Sequence, residues 1–255
     1  MERAGDAGVI GVFAPAPLAA PGVIELDEDG AHHLRVRRAA EGDAVRVTDG
    51  RGAVGVGRVA RLGKRAASVV VERIARLAPP APLRLLVPVA DRDRMLLVAE
   101  KAVELGVARW EPVIWRRSLS VSPRGEGDTF RTKVVARMTA ALLQSGGAWL
   151  PEVCVERPLA AVVAPDDGAS VLLDAAGPPL LALGGLATAA SLRLLVGPEG
   201  GVEADERASV LAAGFRPASL GERVLRFETA AIVGLGVVQA ARAVAARLTA
   251  STDAP

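Results

Sequence analysis

The sequence contains no tyrosine, and aromatic residues make up only 3% of its 255 positions. A surface that binds nucleic acid would therefore depend on arginine and on the backbone more than on stacked rings. Cys154 is the only cysteine, which excludes a disulfide framework and a cysteine-based zinc site. The formal net charge of +2 is too small to indicate a polyanionic partner, so local clusters of charge must do so.

The sequence also lacks the segments that direct a chain to or through a membrane. The first ten residues, MERAGDAGVI, do not form a basic segment followed by an apolar core, so we expect no signal peptide. The longest uncharged stretch, residues 175–192, is broken by three glycines and two prolines, whereas a membrane helix needs roughly 20 mainly apolar residues. We therefore expect a cytoplasmic protein with no membrane partner.

Residues 1–78 have the pattern of short β-strands. Four segments alternate apolar and polar residues between glycine-containing turns: VIEL, AVRVTDG, AVGVGRVARLG and SVVVERIARL. Strands of this spacing predict a small β-barrel, and the proline-rich LAPPAP at 77–82 predicts a linker. His32 and His33 would point to opposite faces of a strand, so we favour structural or RNA-contacting roles and predict no metal site.

From residue 83 onward, strand and helix patterns alternate. The apolar runs predict strands at 83–89, 110–115, 170–174 and 192–196. The helical periodicity predicts helices at 91–105, 129–143, 203–213 and 229–248. Alternation of this kind predicts an α/β domain over residues 83–251, with a parallel sheet that has helices on both faces.

A glycine-rich turn separates the strand at 192–196 from the next helix. It has the sequence Gly-Pro-Glu-Gly-Gly (197–201), and in α/β proteins such strand ends open into the crevice where ligands bind. A P-loop is excluded because the Gly-Lys-Ser/Thr ending is missing. Gly234-Leu-Gly236 lies within the last helix, so close helix packing is its expected role rather than dinucleotide binding. Ser145 is disfavoured as a hydrolase nucleophile, because Leu143 replaces the first glycine of a G-x-S-x-G elbow.

GPEGG followed by LGERVLRFETA (220–230) resembles the SPOUT-class RNA methyltransferases and, within them, the RsmE family. The resemblance extends to HHLRVRR (32–38), KAVELGV (101–107) and Gln144-Ser145. It implies methylation of N3 of a uridine in 16S ribosomal RNA, with S-adenosyl-L-methionine (SAM) bound between the loops of a trefoil-knotted SPOUT domain. It also implies a homodimer and a PUA-like β-barrel, over residues 1–78, that helps to hold RNA.

The resemblance and the chemistry of the donor together imply a set of site residues. A sulfonium compound without phosphates needs an apolar slot for adenine and main-chain groups for the ring edge and sugar. The expected cofactor-binding residues are Leu173, Asp174, Val196, Gly197, Pro198, Glu199, Gly200, Gly201, Leu220, Gly221, Val224 and Leu225. Gly197 and Gly200 are expected to allow close approach of the ligand. The alternative is that these glycines only form turns.

Catalysis is expected from the segment that follows. Arg226 is the candidate for stabilising negative charge on the uracil ring, with Glu228 or Thr229 positioning the base or the helix. The alternative is an ordinary helix start with Thr229 as its cap. RNA contacts are expected at His33, Arg35, Arg37, Arg38 and Gln144, with Arg46 as a further candidate.

Four positions depart from the family pattern, and one of them is Glu203, which stands where a serine or threonine helix cap is common. Leu143 and Gly147 stand where the family usually has Glu and Arg around Gln144, and Phe227 replaces its usual threonine. These departures keep a second hypothesis open, namely an RNA-binding protein of the SPOUT fold with weak or altered activity. Such activity would act on a different nucleotide or on a ribose 2′-oxygen.

Overall fold

The computed structural model of the protein describes residues 9–120 and 123–252. Residues 1–8 and 121–122, which belong to the two predicted domains, lie outside the described residues. The chain divides into two compact units. The first unit takes residues up to 79 together with 139–150, and the second takes 80–138 and the chain from 151 onward.

The first unit contains a five-stranded sheet in the order β1-β3-β4-β5-β2. Its strands are β1 (Ile10–Phe13), β2 (Gly22–Leu26), β3 (Ala44–Thr48), β4 (Ala53–Leu62) and β5 (Ala67–Arg76). The pairs are antiparallel except for β1 with β3, which is parallel. Alternate valines such as Val45, Val47, Val69 and Val71 are buried in one apolar core, as the period of two requires. The four strands predicted in this part are thus confirmed, while β1 was not predicted.

A helix, α1 (Glu28–Val36), interrupts these strands. The Asp27 side chain caps it by accepting a hydrogen bond from the Gly30 backbone N–H, and Ala31 and Leu34 bury its inner face. The interpretation of His32 and His33 as strand residues was therefore wrong. The cap and the acidic first turn, which favour a helix, outweigh the surrounding strand pattern.

The helix ends in a left-handed turn at Arg38, whose φ is 58°. The Ala39 backbone N–H donates to the Leu34 carbonyl (2.9 Å), which is the closing bond of a Schellman motif. Glycine usually occupies this position, because a Cβ makes left-handed backbone unfavourable. Arg38 therefore has a strained backbone.

The second unit contains a parallel sheet in the order β12-β10-β11-β6-β7-β8, with β9 also pairing with β7. Its strands are β6 (Leu83–Pro88), β7 (Arg109–Ile114), β8 (Glu152–Val153), β9 (Arg157–Pro158), β10 (Ala169–Leu173), β11 (Leu192–Val196) and β12 (Arg216–Ala218). The helices after α1 are α2 (Arg92–Glu104), α3 (Asp128–Ser145), α4 (Leu159–Val162), α5 (Ala204–Ala212) and α6 (Phe227–Thr252). The expected α/β architecture with a parallel sheet is confirmed.

Helices cover both faces of this sheet, which the central strand β11 shows directly. Leu195 belongs to a core cluster with Val210 of α5 and Leu159 of α4. Leu194, its neighbour on the opposite face, lies against α6, where a Cβ on Gly234 would be 3.0 Å from the Leu194 Cδ2. Close helix packing at Gly234 is therefore confirmed. A Cβ on Gly236 would meet no atom within 4 Å, so the packing explanation does not extend to Gly236.

A buried carboxylate on β7 pairs with arginines of the neighbouring strands. Glu111 on β7 is only 1% exposed and accepts hydrogen bonds from Arg84 Nε (2.7 Å) and Arg157 Nη2 (3.1 Å). Arg109 Nε lies 3.6 Å from the same carboxylate. A buried charge of this kind is tolerated because it is paired and hydrogen-bonded.

The last helix, α6, is long and mainly apolar, with Glu228, Arg242 and Arg247 as its charged residues. By length and composition alone, Phe227–Leu248 could cross a membrane, with a mean hydropathy of 1.6. Ala231, Leu235 and Val238 form its inner face and are fully buried. Val233, Val244 and Leu248 are exposed on the helix, so the described residues leave part of its apolar surface accessible to solvent.

Candidate active site

The loops that hold most of the predicted site residues meet at one edge of the parallel sheet. Strands β12, β10, β11 and β6 are consecutive neighbours, and the carboxyl ends of parallel strands lie at the same edge. The chain leaving β10 begins with Asp174, the chain leaving β11 is GPEGG, and the chain leaving β12 reaches Arg226. The loop after β6 leads into the first turn of α2.

A cavity of about 100 Å³, here called the small pocket, lies between the loops after β10 and β12. Its lining consists of Leu173, Asp174, Ala175, Ala218, Leu220, Gly221, Arg223, Val224, Leu225 and Ala230. Half of the twelve predicted cofactor residues are therefore brought together here. Binding sites for whole ligands usually exceed about 300 Å³, so the small pocket suits one ring of a larger ligand.

A second cavity, here called the open cleft, has a volume of about 370 Å³. It is lined by Arg94, Glu199, Val224, Leu225 and Arg226. The open cleft and the small pocket share Val224 and Leu225, so the two cavities adjoin. Val224 is 91% exposed, an unfavourable position for an aliphatic side chain unless a ligand covers it.

The glycine-rich loop (197–201) lines less of the two cavities than its composition suggests. Glu199 lines the open cleft, whereas Val196, Gly197, Pro198, Gly200 and Gly201 line neither cavity. The structure gives these glycines another role, because a Cβ on Gly197 would lie 2.6 Å from Val202 Cγ2. A Cβ on Gly200 would lie 3.0 Å from the Cβ of Arg117, whose Nη1 donates to the Gly200 carbonyl oxygen (2.5 Å). Close approach of a ligand to Gly197 and Gly200 stays a prediction.

Asp174 is fixed at the rim of the small pocket by two donors. Its Oδ1 accepts from the Ala176 backbone N–H (2.9 Å), and its Oδ2 accepts from Arg207 Nε (2.6 Å). Burial by itself would raise the pKa of Asp174, but the two hydrogen bonds and the charge of Arg207 outweigh it and lower the pKa. Asp174 therefore presents an ionised carboxylate to the pocket at neutral pH.

The three predicted catalytic residues lie at the start of α6 in different environments. Arg226 is exposed and lines the open cleft. Glu228 is 9% exposed, and its Oε2 has no hydrogen-bond partner among the described residues. Thr229 is exposed and is the third residue of α6, so the alternative of Thr229 as the helix cap was wrong. The cap position belongs to Arg226, whose carbonyl accepts from the Ala230 N–H (2.9 Å).

The predicted RNA-binding residues occupy the first unit. Arg35, Arg37 and Arg38 are exposed at the end of α1, and Gln144 is exposed on the last turn of α3. His33 is half-buried with its Nε2 3.0 Å from the Gly11 carbonyl oxygen, and burial lowers the pKa of its imidazole. These side chains therefore differ in access, with the three arginines in contact with solvent.

Two residues near Gln144 have local structural roles. Arg46 Nη2 donates to the carbonyl oxygens of Gly146 (2.6 Å) and Gly147 (3.3 Å), so it holds the end of α3. Ser145 Oγ donates to the Ala141 carbonyl oxygen (2.8 Å), the usual contact of a serine within a helix. That contact agrees with rejecting Ser145 as a nucleophile.

Sequence reasoning missed Arg94, which lies in the first turn of α2 and lines the open cleft. A sequence signal for it does exist. Basic residues in the first turn of a helix oppose the helix dipole, so Arg92 and Arg94 directly after the capping Asp91 are unusual. Asp93 in the same turn offsets part of this charge, Arg92 packs over the Phe130 ring, and Arg94 pairs with Glu199.

Comparison with known proteins gives the family. The family model for the RNA methyltransferase domain matches residues 78–239, and the model for the RNA methyltransferase PUA domain matches residues 26–72. The chain is 32% identical over 238 residues to ribosomal RNA small subunit methyltransferase E of Mycobacterium bovis, covering 85% of both chains. It is 29% identical to the protein of the same name from Synechocystis, covering 82% of this chain and 70% of that protein.

Solved structures agree with this comparison. The methyltransferase Lpg2936 from Legionella pneumophila, in complex with SAM, has a TM-score of 0.78 at 26% identity, covering 91% of this chain and 98% of that one. Ribosomal RNA small subunit methyltransferase E of Neisseria gonorrhoeae has the same fold, with a TM-score of 0.82 at 24% identity, covering 91% of this chain and 97% of that one. The chain therefore belongs to the ribosomal RNA small subunit methyltransferase E (RsmE) family of RNA methyltransferases, with a PUA domain ahead of the methyltransferase domain.

Proposed function

We propose that the protein is a SAM-dependent methyltransferase that modifies N3 of a uridine in 16S ribosomal RNA. One observation supports this most strongly. In a chain of the RsmE family, the small pocket and the open cleft adjoin through Val224 and Leu225 at the ligand-binding edge of the sheet. One cavity suits the ring of a cofactor, and the other suits a nucleotide base beside it.

The residues of the small pocket fit SAM. Leu173, Leu220 and Leu225 offer apolar surface for adenine, and the loop backbone offers polar groups for the ring edge and sugar. Asp174 offers a carboxylate that can accept from sugar hydroxyl groups. The exposed side chain of Val224 would be covered once the ligand is bound. We assign cofactor binding to these residues together with Gly221 and Val196–Gly201.

The chemistry requires orientation and the removal of a proton. When bound, SAM supplies an electrophilic methyl group, whose carbon–sulfur bond breaks as the nitrogen–carbon bond forms, with the electron pair remaining on sulfur. The uridine N3 must lose its proton, which leaves negative charge on the ring. Arg226 lies in the open cleft where it can stabilise that charge, while Glu228 and Thr229 position the start of α6.

We assign RNA contact to the first unit. Arg35, Arg37 and Arg38 are exposed side chains that can form paired hydrogen bonds with phosphates, and His33 and Gln144 complete the proposed set. Because N3 is paired or stacked within a helix of RNA, the target base must lie in a loop or be flipped out.

A second copy of the chain is the proposed partner of α6. Val233, Val244 and Leu248 expose apolar side chains on a helix that is, by length and composition only, apolar enough to cross a membrane. Exposed apolar surface of this kind is typical of an interface. A homodimer would cover it, and sedimentation that gives only monomer at micromolar concentration would contradict this assignment.

Three further assignments rest on family membership. We propose a cytoplasmic location, domains at residues 1–78 and 83–251, and a trefoil knot in the second. Residues 1–8 and 121–122 of these domains lie outside the described residues.

Nucleoside mass spectrometry tests the proposed function. In a strain that lacks the gene, 3-methyluridine should disappear from 16S ribosomal RNA and should return when the gene is restored. An unchanged amount of 3-methyluridine would refute the proposal. A mark on another nucleotide or on a ribose 2′-oxygen would favour the hypothesis of altered activity that Leu143, Gly147 and Phe227 raised.

A further inference from the structure

Arg94 occupies an electrostatically unfavourable position in α2. It lies in the first turn, where its backbone N–H donates to the Oδ1 of the capping Asp91 (3.1 Å). A cation here opposes the partial positive charge of the helix terminus, although Asp93 in the same turn offsets part of that effect. The inner face of α2 is formed by other residues, including Met95, Val98 and Ala99, so the fold of the helix does not explain this arginine.

The guanidinium of Arg94 links two elements of the site. It forms an ion pair with Glu199 of the GPEGG loop, and its Nε lies 3.9 Å from Glu228 Oε1 on the first turn of α6. The order of the strands brings Arg94 close to Glu199, because β6, which precedes α2, lies next to β11, which precedes the GPEGG loop. A buried carboxylate such as Glu228 needs a compensating charge, and Arg94 provides one.

The remaining donors of Arg94 contribute to the open cleft. Among the described residues that line it are the guanidinium groups of Arg94 and Arg226 and the carboxylate of Glu199, which already pairs with Arg94. Glu228 behind the lining balances the second arginine, so the cleft presents guanidinium N–H donors rather than an excess of positive charge. A guanidinium presents five planar N–H donors and stays charged at any relevant pH, so pairing with two carboxylates leaves donors for a ligand.

These guanidinium donors discriminate between classes of base. An imide base such as uracil loses the proton on N3 and becomes negative before its nitrogen is methylated. A ring nitrogen of adenine or cytosine already has a free electron pair and becomes positive on methylation. Preorganised cations stabilise the first reaction and disfavour the second.

We propose that Arg94 is a specificity-determining residue that binds the carbonyl oxygens of an imide base in the open cleft while holding Glu199 and Glu228 in place. This inference rests on the proposed function and deepens it. The N3 proton passes to water, and the negative charge left on N3 and the carbonyl oxygens faces the guanidinium groups of Arg94 and Arg226. The substrate class is therefore a base whose ring nitrogen must lose a proton, such as the imide of uracil, and the selection acts through the donors that face the resulting anion.

The test uses Arg94→Gln and Arg94→Lys in the full-length protein, with Arg92→Gln as the matched control. Arg92 shares the first turn but lies over the Phe130 ring, 5.5 Å from its centroid. Single-turnover methyl transfer is measured on 16S RNA fragments that contain uridine or 5-fluorouridine at the methylated position. Fluorine withdraws electrons and makes the N3 proton more acidic, so it substitutes for part of the stabilisation that Arg94 provides.

On uridine RNA, Arg94→Gln should lower the rate by about 100-fold, as expected for losing one preorganised donor to a developing anion. On 5-fluorouridine RNA the loss should be at least about fivefold smaller, and Arg94→Lys should retain more activity because it keeps the charge. The Kd for S-adenosylhomocysteine should change by less than about fivefold, the effect of an exposed ion pair. Arg92→Gln should behave as the wild type.

Equal losses on the two RNAs would overturn the inference, since a purely structural role is not relieved by a more acidic substrate. A loss in Arg92→Gln as large as in Arg94→Gln would overturn it as well. If Arg94→Gln fails to fold in a thermal melt, Arg94→Lys decides, and equal losses for it on the two RNAs would contradict the proposal. A wild-type protein that methylates no uridine at all would refute the proposed function and this inference with it.

Discussion

Gly234 and Leu173 connect the packing of α6 to the small pocket. A Cβ on Gly234 would lie 2.9 Å from Leu173 Cδ1 and 3.0 Å from Leu194 Cδ2. Leu194 is fully buried in the sheet and has no room to retreat, whereas Leu173 is only half-buried and lines the small pocket. In Gly234→Ala, Leu173 must therefore move by about 0.5 Å towards the pocket to restore an ordinary van der Waals contact.

Two opposing effects set the change in stability of Gly234→Ala. Alanine in a helix interior gains about 1 kcal/mol over glycine, while an extra methyl group in a packed core costs about 1–3 kcal/mol. The free energy of unfolding should therefore fall by about 0–2 kcal/mol. Gly236→Ala is the matched control, because its Cβ meets no atom within 4 Å, and it should gain about 1 kcal/mol.

Ligand binding should separate the two variants. Displacing Leu173 within a cavity of only about 100 Å³ should disturb the packing of the ligand's ring. The binding free energy should weaken by about 1 kcal/mol, which is equivalent to a Kd about fivefold higher. Titration calorimetry with S-adenosylhomocysteine measures this, alongside urea unfolding of the same samples. Gly234→Ala should first show a changed free energy of unfolding, which establishes that the methyl group alters the packing. If its Kd is nevertheless unchanged, Leu173 is not a wall of the cofactor site.

Three further predictions concern other parts of the molecule. Arg38→Gly relieves the left-handed backbone at φ 58° and should raise the free energy of unfolding by about 1 kcal/mol. The same variant should bind RNA more weakly in a filter-binding assay, and an unaltered affinity would exclude an RNA contact by Arg38. Glu111→Gln should cost about 1–3 kcal/mol in urea unfolding, because partly exposed arginines lose the charged hydrogen bonds of a buried anion. Exposed Glu152→Gln should cost less than about 1 kcal/mol, and equal costs would contradict the role of burial. The lowered pKa of Asp174 implies stability that is present above its ordinary value of 3.8 and is lost as pH falls through its folded value. Unfolding from pH 7 into acid should therefore show the wild type losing its advantage over Arg207→Gln; an advantage that persists in acid would disprove the linkage.

Elements with a strong local pattern could be predicted from the sequence. The strand at 192–196 has the predicted bounds because five consecutive buried residues follow a break and precede the GPEGG turn. The helices α2, α3, α5 and α6 were predicted to within a few residues at each end, since their periodicity and end signals are local. The short strands β1, β8, β9 and β12 were not predicted. Their backbone groups find partners far away in sequence, and two to four residues are too few to show a period.

Part of the candidate site could likewise be predicted from local sequence patterns, and part of it could not. The motifs after β11 and β12 indicated most of the residues that line the two cavities, because main-chain turns with glycine have a recognisable sequence. The wall formed by GPEGG itself is smaller than expected, since the glycine hydrogens face Val202 and Arg117. No local rule could place Arg94 beside Glu199, because the two are 105 positions apart in the chain.

By itself, the sequence determined the alternation of strand and helix, the glycine turns at strand ends and the family, because each of these depends on neighbours within a few residues. The tertiary structure alone decided that β6 lies beside β11, that Arg94 and Arg226 face the open cleft, and that Leu173 lies between α6 and the small pocket. Strand order is set by burial and hydrogen bonding over the whole sheet, and the charges that meet at its edge follow from that order.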